Sequence, residues 1–228
     1  MSLENSNLMH LDRYRDIIKE IAPYHASLVA VSKTKPIYDI MTLYSIGQRA
    51  FGENKVQEMS DKHEALPKDI DWHFIGHLQT NKVKYIAPFV ALIHAVDSLR
   101  LLEEINKQAL KHSRVIPCLL QVHIADEETK FGMNEDEIID LLKSPEYHSF
   151  QNISICGLMG MATNSDDTTQ VELEFEGLRM LFSKIKTQYF PDKPDFKELS
   201  MGMSSDYHIA LKHGATLIRI GSDIFGSR

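Results

Sequence analysis

Several features that mark common protein classes are scarce in this sequence of 228 residues. It has only two cysteines, Cys118 and Cys156, and both lie in apolar runs, so we expect two buried free thiols in a reducing compartment. It has no CxxC or HExxH spacing, so we expect no metal site. Basic residues number 25 against 32 acidic residues, and the net charge of −7 argues against nucleic acid as a partner.

Long apolar runs and glycine-rich loops are missing as well. No apolar segment approaches the roughly 20 residues of a membrane-spanning helix, and the polar N-terminus lacks the apolar core of a signal peptide. We therefore expect no membrane association and a cytoplasmic location. No GxGxxG motif follows the first predicted strand and no Walker-type loop occurs, which argues against the nucleotide-binding open sheets.

The sequence does contain a repeated alternation of short apolar runs with amphipathic stretches. The runs are rich in Val, Ile, Phe and Leu and too short for isolated helices, so they indicate buried parallel strands separated by helices. The predicted strands cover residues 28–32, 50–53, 72–75, 91–96, 116–122, 153–159, 196–201 and 216–220.

Eight strands alternating with helices place the chain in the α/β class, either as an open doubly wound sheet or as a closed (β/α)₈ TIM barrel. The count of eight favours the barrel. Because no linker interrupts the chain, we expect a single domain over residues 1–228. Residues 1–25 are expected to form an N-terminal helical extension packed on it, with a helix over 8–21 whose Leu8, Leu11, Ile18 and Ile21 share a face.

Polar and small residues follow these strands where a barrel of this type builds its functional site. Lys33 follows the first strand and Asn54 the second, while Arg219 lies inside the last strand. Arg219 must either face a ligand or form a structural ion pair, because unpaired burial of its charge is costly. Ser204 and Ser205 follow the seventh predicted strand, and Gly221 and Ser222 follow the eighth. Met201, the last residue of the seventh, is expected to flank the site as core or pocket lining.

Two of these features predict chemistry. A helix that begins near Ser204 would present free N–H groups to a phosphate, although Ser204 as a mere N-cap and Gly221 as a mere turn residue are the structural alternatives. Lys33 would emerge at the same mouth beside Lys35, a second cation that lowers the pKa of its amine and makes it a nucleophile toward an aldehyde. An aldehyde-bearing phosphate such as pyridoxal 5′-phosphate (PLP) suits this pair; a solvated Lys33 or a phosphosugar ligand is the alternative.

The stretches VAVSKTKP, FGENKVQE, WHFIGHLQTNKVK, EETKFG, GLMGMA, LSMGMSSD and IRIGSDIFG resemble the pyridoxal phosphate homeostasis proteins of the YggS/PROSC type. The resemblance spans about residues 28–226 and keeps the order of the family's segments. It implies a fold-type III PLP barrel related to the barrel domain of alanine racemase. It also implies a Schiff base of PLP on Lys33, phosphate contacts from the SMGMSSD and IGS loops, and Arg219 near the cofactor.

One segment departs from the family pattern, since His123 and Phe131 stand where Asn and Ser are usual. We expect this change to alter the polarity of one wall of the pocket. Lys35 and Lys130 are the candidates for a second acceptor of the aldehyde, in addition to Lys33.

The resemblance further implies a role in intracellular vitamin B6 homeostasis without catalytic turnover. A second, β-rich domain of the kind that helps close alanine racemase sites is not expected, which leaves an open pocket suited to cofactor exchange. Apo forms of PLP-dependent enzymes are the expected partners, and the expected state is a monomer or weak dimer. The alternative is a PLP-dependent racemase or lyase acting on amino acids.

Overall fold

Eight parallel strands form a closed barrel in a computed structural model that describes residues 9–125 and 131–226. Each strand pairs with its neighbour in the chain, and the last strand pairs with the first. The strands are β1 (Ser27–Val31), β2 (Ala50–Glu53), β3 (Asp71–Phe74), β4 (Leu92–Val96), β5 (Ile116–Val122), β6 (Ile153–Gly160), β7 (Glu198–Ser200) and β8 (Leu217–Ile220). The predicted barrel is confirmed, and the strand bounds differ from the predicted ones by at most two residues at either end.

Helices cover the outside of the barrel. Asn134 and Glu137 form the capping box that their spacing indicates at the start of one of them. The helices of the described residues are α1 (Leu11–Ile21), α2 (Ile37–Ser45), α3 (Val56–Ala65), α4 (Val83–Ile86), α5 (Leu99–Lys111), α6 (Glu135–Lys143), α7 (Pro145–Ser149), α8 (Thr168–Tyr189), α9 (Tyr207–Lys212) and α10 (Ser222–Phe225). None of the helices in the described ranges is long and apolar enough to cross a bilayer.

The core has two layers because successive strand side chains alternate between the barrel interior and the helices. The larger layer packs strands against helices and contains Phe51, Trp72 and Phe196. The interior layer is small and consists of Val29, Leu92, Ala95, Leu119, Met159 and Leu217.

Helix α1 packs on the barrel with most of the predicted face. Ile21 is buried and Leu11 packs against the core as predicted, whereas Ile18 is 37% exposed and Tyr14 and Ile17 are buried instead. Leu8 lies outside the described residues. Arg13 fixes the helix to the far end of the chain, because its Nη2 donates to Tyr207 Oη at 2.7 Å.

Gly157 in β6 gives a test of the barrel wall. Its φ is +154°, and a Cβ atom there would lie 1.7 Å from the carbonyl oxygen of Glu198 in β7. We expect Gly157→Ala to lower the free energy of unfolding by about 3 kcal/mol or more, because both the backbone angle and the contact forbid a side chain. Urea unfolding followed by circular dichroism measures the change.

The control is Gly177→Ala in α8, where an added Cβ meets no atom within 4 Å. This change should raise the free energy of unfolding by about 0.5–1 kcal/mol, since alanine favours a helix over glycine. Equal effects at the two positions would contradict the close approach of β6 and β7.

Candidate cofactor site

A cavity of about 620 Å³ lies at the carboxyl ends of the strands, a volume typical of small-molecule sites. Seven of the eight residues predicted from the sequence to bind a cofactor line this cavity. They are Lys33, Asn54, Ser204, Ser205, Arg219, Gly221 and Ser222. The structure therefore brings together residues from both ends of the chain.

Met201 is the exception. It is fully buried and packs in the layer between strands and helices. The preceding residue, Ser200, faces the barrel interior, so alternation along the strand turns Met201 outward. Met161 and Met203 are methionines that line the cavity instead.

The loops after β7 and β8 meet through their hydroxyl groups, since Ser222 Oγ donates to Ser204 Oγ at 3.2 Å. Gly221 lets the second loop approach β1, because a Cβ there would lie 3.1 Å from the carbonyl oxygen of Val31. Hydroxyl groups and backbone N–H groups of small residues are donors that a phosphate accepts. The donor set of these loops thus fits the phosphate of PLP.

Ser204 is not the N-cap that the sequence suggested. The following helix, α9, begins at Tyr207 with Asp206 as its N-cap, and Asp206 Oδ1 accepts a hydrogen bond from the backbone N–H of Met203 at 2.6 Å. This hydrogen bond, together with the one from the Asp206 N–H to the Met203 carbonyl, closes a turn over residues 203–206. Ser204 and Ser205 therefore lie in the turn, and both residues line the cavity.

Lys33 lies beside these loops because β1 is hydrogen-bonded to β8 as well as to β2. Val29 pairs with Arg219 across the β1–β8 seam, and Val31 pairs with Gly52 across the β1–β2 seam. Strands in register end at the same level. The half-buried Lys33 is consequently flanked by the Asn54 loop on one side and the Gly221 loop on the other.

Lys35 has a structural partner that the sequence did not indicate. Its ammonium donates to the carbonyl oxygens of Phe225 at 3.0 Å and Gly226 at 2.9 Å, at the end of α10. Lys35 thus connects the turn that carries Lys33 to the last helix. Lys130, the other candidate for a second acceptor, lies outside the described residues.

Arg219 points into the barrel, where it is 4% exposed. Its Nη1 donates to Ser200 Oγ at 2.6 Å and its Nη2 donates to the carbonyl oxygen of Gly160 at 3.1 Å. Burial lowers the pKa of Arg219 to about 10, and the charge of Asp206 opposes this shift. The guanidinium remains a cation at neutral pH and lines the cavity floor.

A buried hydrogen-bonded chain continues from Arg219 through the barrel. Ser200 Oγ lies 2.9 Å from His94 Nδ1, and His94 Nε2 lies 2.9 Å from His73 Nδ1. Arginine only donates, so Ser200 accepts from it and its hydroxyl proton is available to His94 Nδ1. Both histidines are therefore buried and hydrogen-bonded inside the barrel.

Another wall of the cavity contains residues that were not among the predicted binding residues. His77 Nδ1 lies 3.1 Å from Asp97 Oδ2. The His77 ring stacks on the ring of Phe131, and the two ring centroids are 4.2 Å apart. Phe131 is 54% exposed, and its carbonyl oxygen accepts from Gln121 Nε2 at 3.0 Å. Gln121 could have been predicted to line the cavity from the sequence. It lies two residues after the inward Leu119 in β5, and side chains two residues apart in a strand point to the same side. The departure at Phe131 therefore does reach the pocket.

The buried histidines predict an acid-sensitive stability. Burial lowers the pKa of His73 from 6.5 to about 4. Between these values the unfolded chain binds a proton that the folded protein excludes, so this stability is complete above pH 6.5 and is lost as the pH falls toward 4. We expect His73→Asn to reduce the loss of unfolding free energy between pH 7 and pH 4.5 by about 2 kcal/mol, measured by urea unfolding.

The same substitution at His112, which is exposed after α5, controls for the exchange of an imidazole for an amide. If wild type and His73→Asn lost the same free energy over this pH interval, the buried neutral imidazole would not be the cause.

Comparison with known proteins covers nearly the whole chain. Residues 7–228 match the family model described as alanine racemase, N-terminal domain. The pyridoxal phosphate homeostasis protein of Aquifex aeolicus is 40% identical over 205 residues, which are 89% of this chain and 87% of that protein. The protein of the same description from Escherichia coli is 36% identical over 212 residues, covering 91% of this chain and 88% of its own.

A solved structure is similar over the same extent. PipY of Synechococcus elongatus, determined with PLP bound, has a TM-score of 0.83 and 33% identity, covering 94% of this chain and 99% of that one. These similarities confirm the family that the sequence motifs indicated and the fold-type III barrel. The chain belongs to the family of pyridoxal phosphate homeostasis proteins.

Proposed function

We propose that this protein binds PLP as a Schiff base on Lys33 and serves intracellular vitamin B6 homeostasis as a carrier without catalytic turnover. The observation that carries the proposal is that Lys33 and the serine loops after β7 and β8 line one cavity. When bound, PLP supplies a phosphate group and an aldehyde. The aldehyde condenses with a lysine amine and releases one water. The names of the relatives and the PLP-bound PipY structure support the same ligand.

The residues divide by the part of the cofactor that they would hold. Ser204, Ser205, Ser222 and the backbone at Gly221 would donate to the phosphate. Arg219 would donate a hydrogen bond to the ring nitrogen of PLP. Because a guanidinium cannot accept a hydrogen bond, the ring nitrogen would stay unprotonated. A ring held in this way is a weaker electron sink, which favours carriage over carbanion chemistry.

The rim of the cavity supports exchange of the cofactor with solvent. Phe131 is 54% exposed and Met203 is 36% exposed, and both line the cavity. Water at an open site competes with the charge interactions that carbanion chemistry requires. Apo forms of PLP-dependent enzymes are the partners that we propose for delivery.

The setting that we propose is the cytoplasm, with the protein as a monomer or weak dimer. The two free thiols support a reducing compartment; Cys118 is buried, whereas Cys156 is only partly buried, in contrast to the expectation for both.

A PLP-dependent racemase or lyase is the alternative. His77, oriented by Asp97 at the cavity wall, is the side chain that would act as its acid or base. Sustained turnover of an amino acid by the PLP-loaded protein would favour this alternative. The relatives are named for homeostasis and not for a reaction, which favours the carrier.

Lys33→Ala tests the covalent part of the proposal. We expect this variant to lose the visible absorbance of the PLP-loaded protein and to carry no pyridoxyl group after borohydride reduction and mass spectrometry, because the reacting amine is gone. Lys35→Ala is the matched control, and its Lys33 should still be labelled. Labelling that persists in Lys33→Ala at another lysine would contradict the assignment.

Ser222→Ala tests the phosphate loops. It removes the donor that also joins the loop to Ser204, so we expect the dissociation constant of PLP to rise about tenfold. Binding of pyridoxal, which has the aldehyde but no phosphate, should change by less than about twofold. If Ser222→Ala raised the dissociation constants of PLP and pyridoxal equally, the loop would not contact the phosphate.

A further inference from the structure

Two peptide groups flank the α-carbon of Lys33, and both are held by side chains of α3. The carbonyl oxygen of Ser32, on the N-terminal side, accepts from Lys62 Nζ at 2.8 Å. The backbone N–H of Thr34, on the C-terminal side, donates to Glu58 Oε1 at 2.6 Å. Holding both peptide planes sets the direction in which the Lys33 side chain leaves the backbone.

Lys62 uses all three of its donors in this arrangement. Besides the Ser32 carbonyl it donates to Glu53 Oε1 at 2.8 Å and to Glu58 Oε1 at 2.7 Å. Ser32 Oγ also donates to Glu53 Oε1, at 2.7 Å. The end of β1 at Ser32, strand β2 and helix α3 therefore meet at one ion cluster on the outer side of the barrel wall.

The cluster is mostly buried. The side chains of Glu53, Lys62 and Glu58 are 0%, 8% and 23% exposed. Desolvation raises the pKa of Glu53, whereas the pKa of Glu58 is lowered by Lys62 and the Thr34 N–H against the opposing effect of desolvation. Glu58 is the carboxylate of this cluster that accepts from the turn.

The turn itself needs a restraint. The backbone N–H of Lys35 donates to the Ser32 carbonyl at 3.0 Å, which closes a β-turn over residues 32–35. Thr34 occupies its third position with a φ of +66°. Turns with a positive φ at that position normally have Gly or Asn there, and a β-branched residue is strained.

We propose that Glu58 and Lys62 are positioning residues that hold Thr34 in its left-handed conformation and so aim Lys33 into the cavity. The inference rests on the proposed function, in which Lys33 is the PLP-binding amine. A conformation that the chain itself disfavours persists only when its surroundings impose it. The two contacts from α3 impose it here, at the residue next to Lys33.

The test combines Glu58→Ala with Thr34→Gly, because glycine adopts a positive φ without strain. We expect Glu58→Ala to raise the dissociation constant of PLP about tenfold and to slow labelling of Lys33 under borohydride. The double variant should bind PLP within about threefold of Thr34→Gly alone. Glu58→Gln, whose amide oxygen still accepts a hydrogen bond, should have a smaller effect and serves if Glu58→Ala folds poorly.

Two controls match these substitutions. Glu64→Ala removes an exposed glutamate from the same helix, and Ser113→Gly places glycine at another residue with positive φ, +52°, after α5. Both should bind PLP as wild type does. The inference is overturned if Glu58→Ala binds PLP as wild type does, or if its defect is equally large in the Thr34→Gly background.

A second measurement separates this inference from the proposed function. The absence of labelling on Lys33 in the wild-type protein would contradict the proposed function. Exchange of the Thr34 amide hydrogen needs no cofactor and should be at least about tenfold faster in Glu58→Ala, because the acceptor of that N–H is gone. Equal exchange rates in the two folded proteins would overturn the inference whatever the outcome for PLP.

Discussion

Closure of the barrel through the pairing of β1 with β8 is the constraint on which the site depends. Lys33 and Ser222 are separated by most of the chain, yet the register of Val29 with Arg219 brings their strands side by side. In an open sheet the first and last strands would be remote unless the topology placed them together. Here the closed topology alone makes the amine and the serine loops neighbours, and the loops need only small residues to reach each other.

The polar interior of the barrel follows from the same closure. A lumen lined by Val29, Leu119 and Leu217 is a costly place for Arg219 unless its donors are satisfied. Ser200 and the Gly160 carbonyl accept from it, and the two histidines extend the hydrogen bonding with neutral rings. These hydrogen bonds from the barrel interior fix the position of the Arg219 cation at the cavity. The ion cluster of Glu53, Glu58 and Lys62, on the outer side of the barrel wall, fixes the turn of Lys33.

The strands, the barrel and the gathering of Lys33 with the serine loops were predictable from the sequence because apolar runs and the residues after them are local signals. Contacts that cross the barrel were not. Met201 was included because it lies beside the serine loop in the sequence, whereas alternation from the inward Ser200 turns its side chain toward the helices. The charge effect of Lys35 on Lys33 stays a prediction, but the contacts of its ammonium with Phe225 and Gly226, nearly 200 residues away, were not predicted. No periodicity encodes such a pairing.

The most direct measurement of the central claim is a crystal structure of the protein grown with PLP. The account predicts continuous electron density from Lys33 Nζ to a phosphate between Ser204 and Ser222, with the ring above Arg219. Density for the phosphate at any other place, or a Lys33 side chain that points out of the cavity, would contradict it.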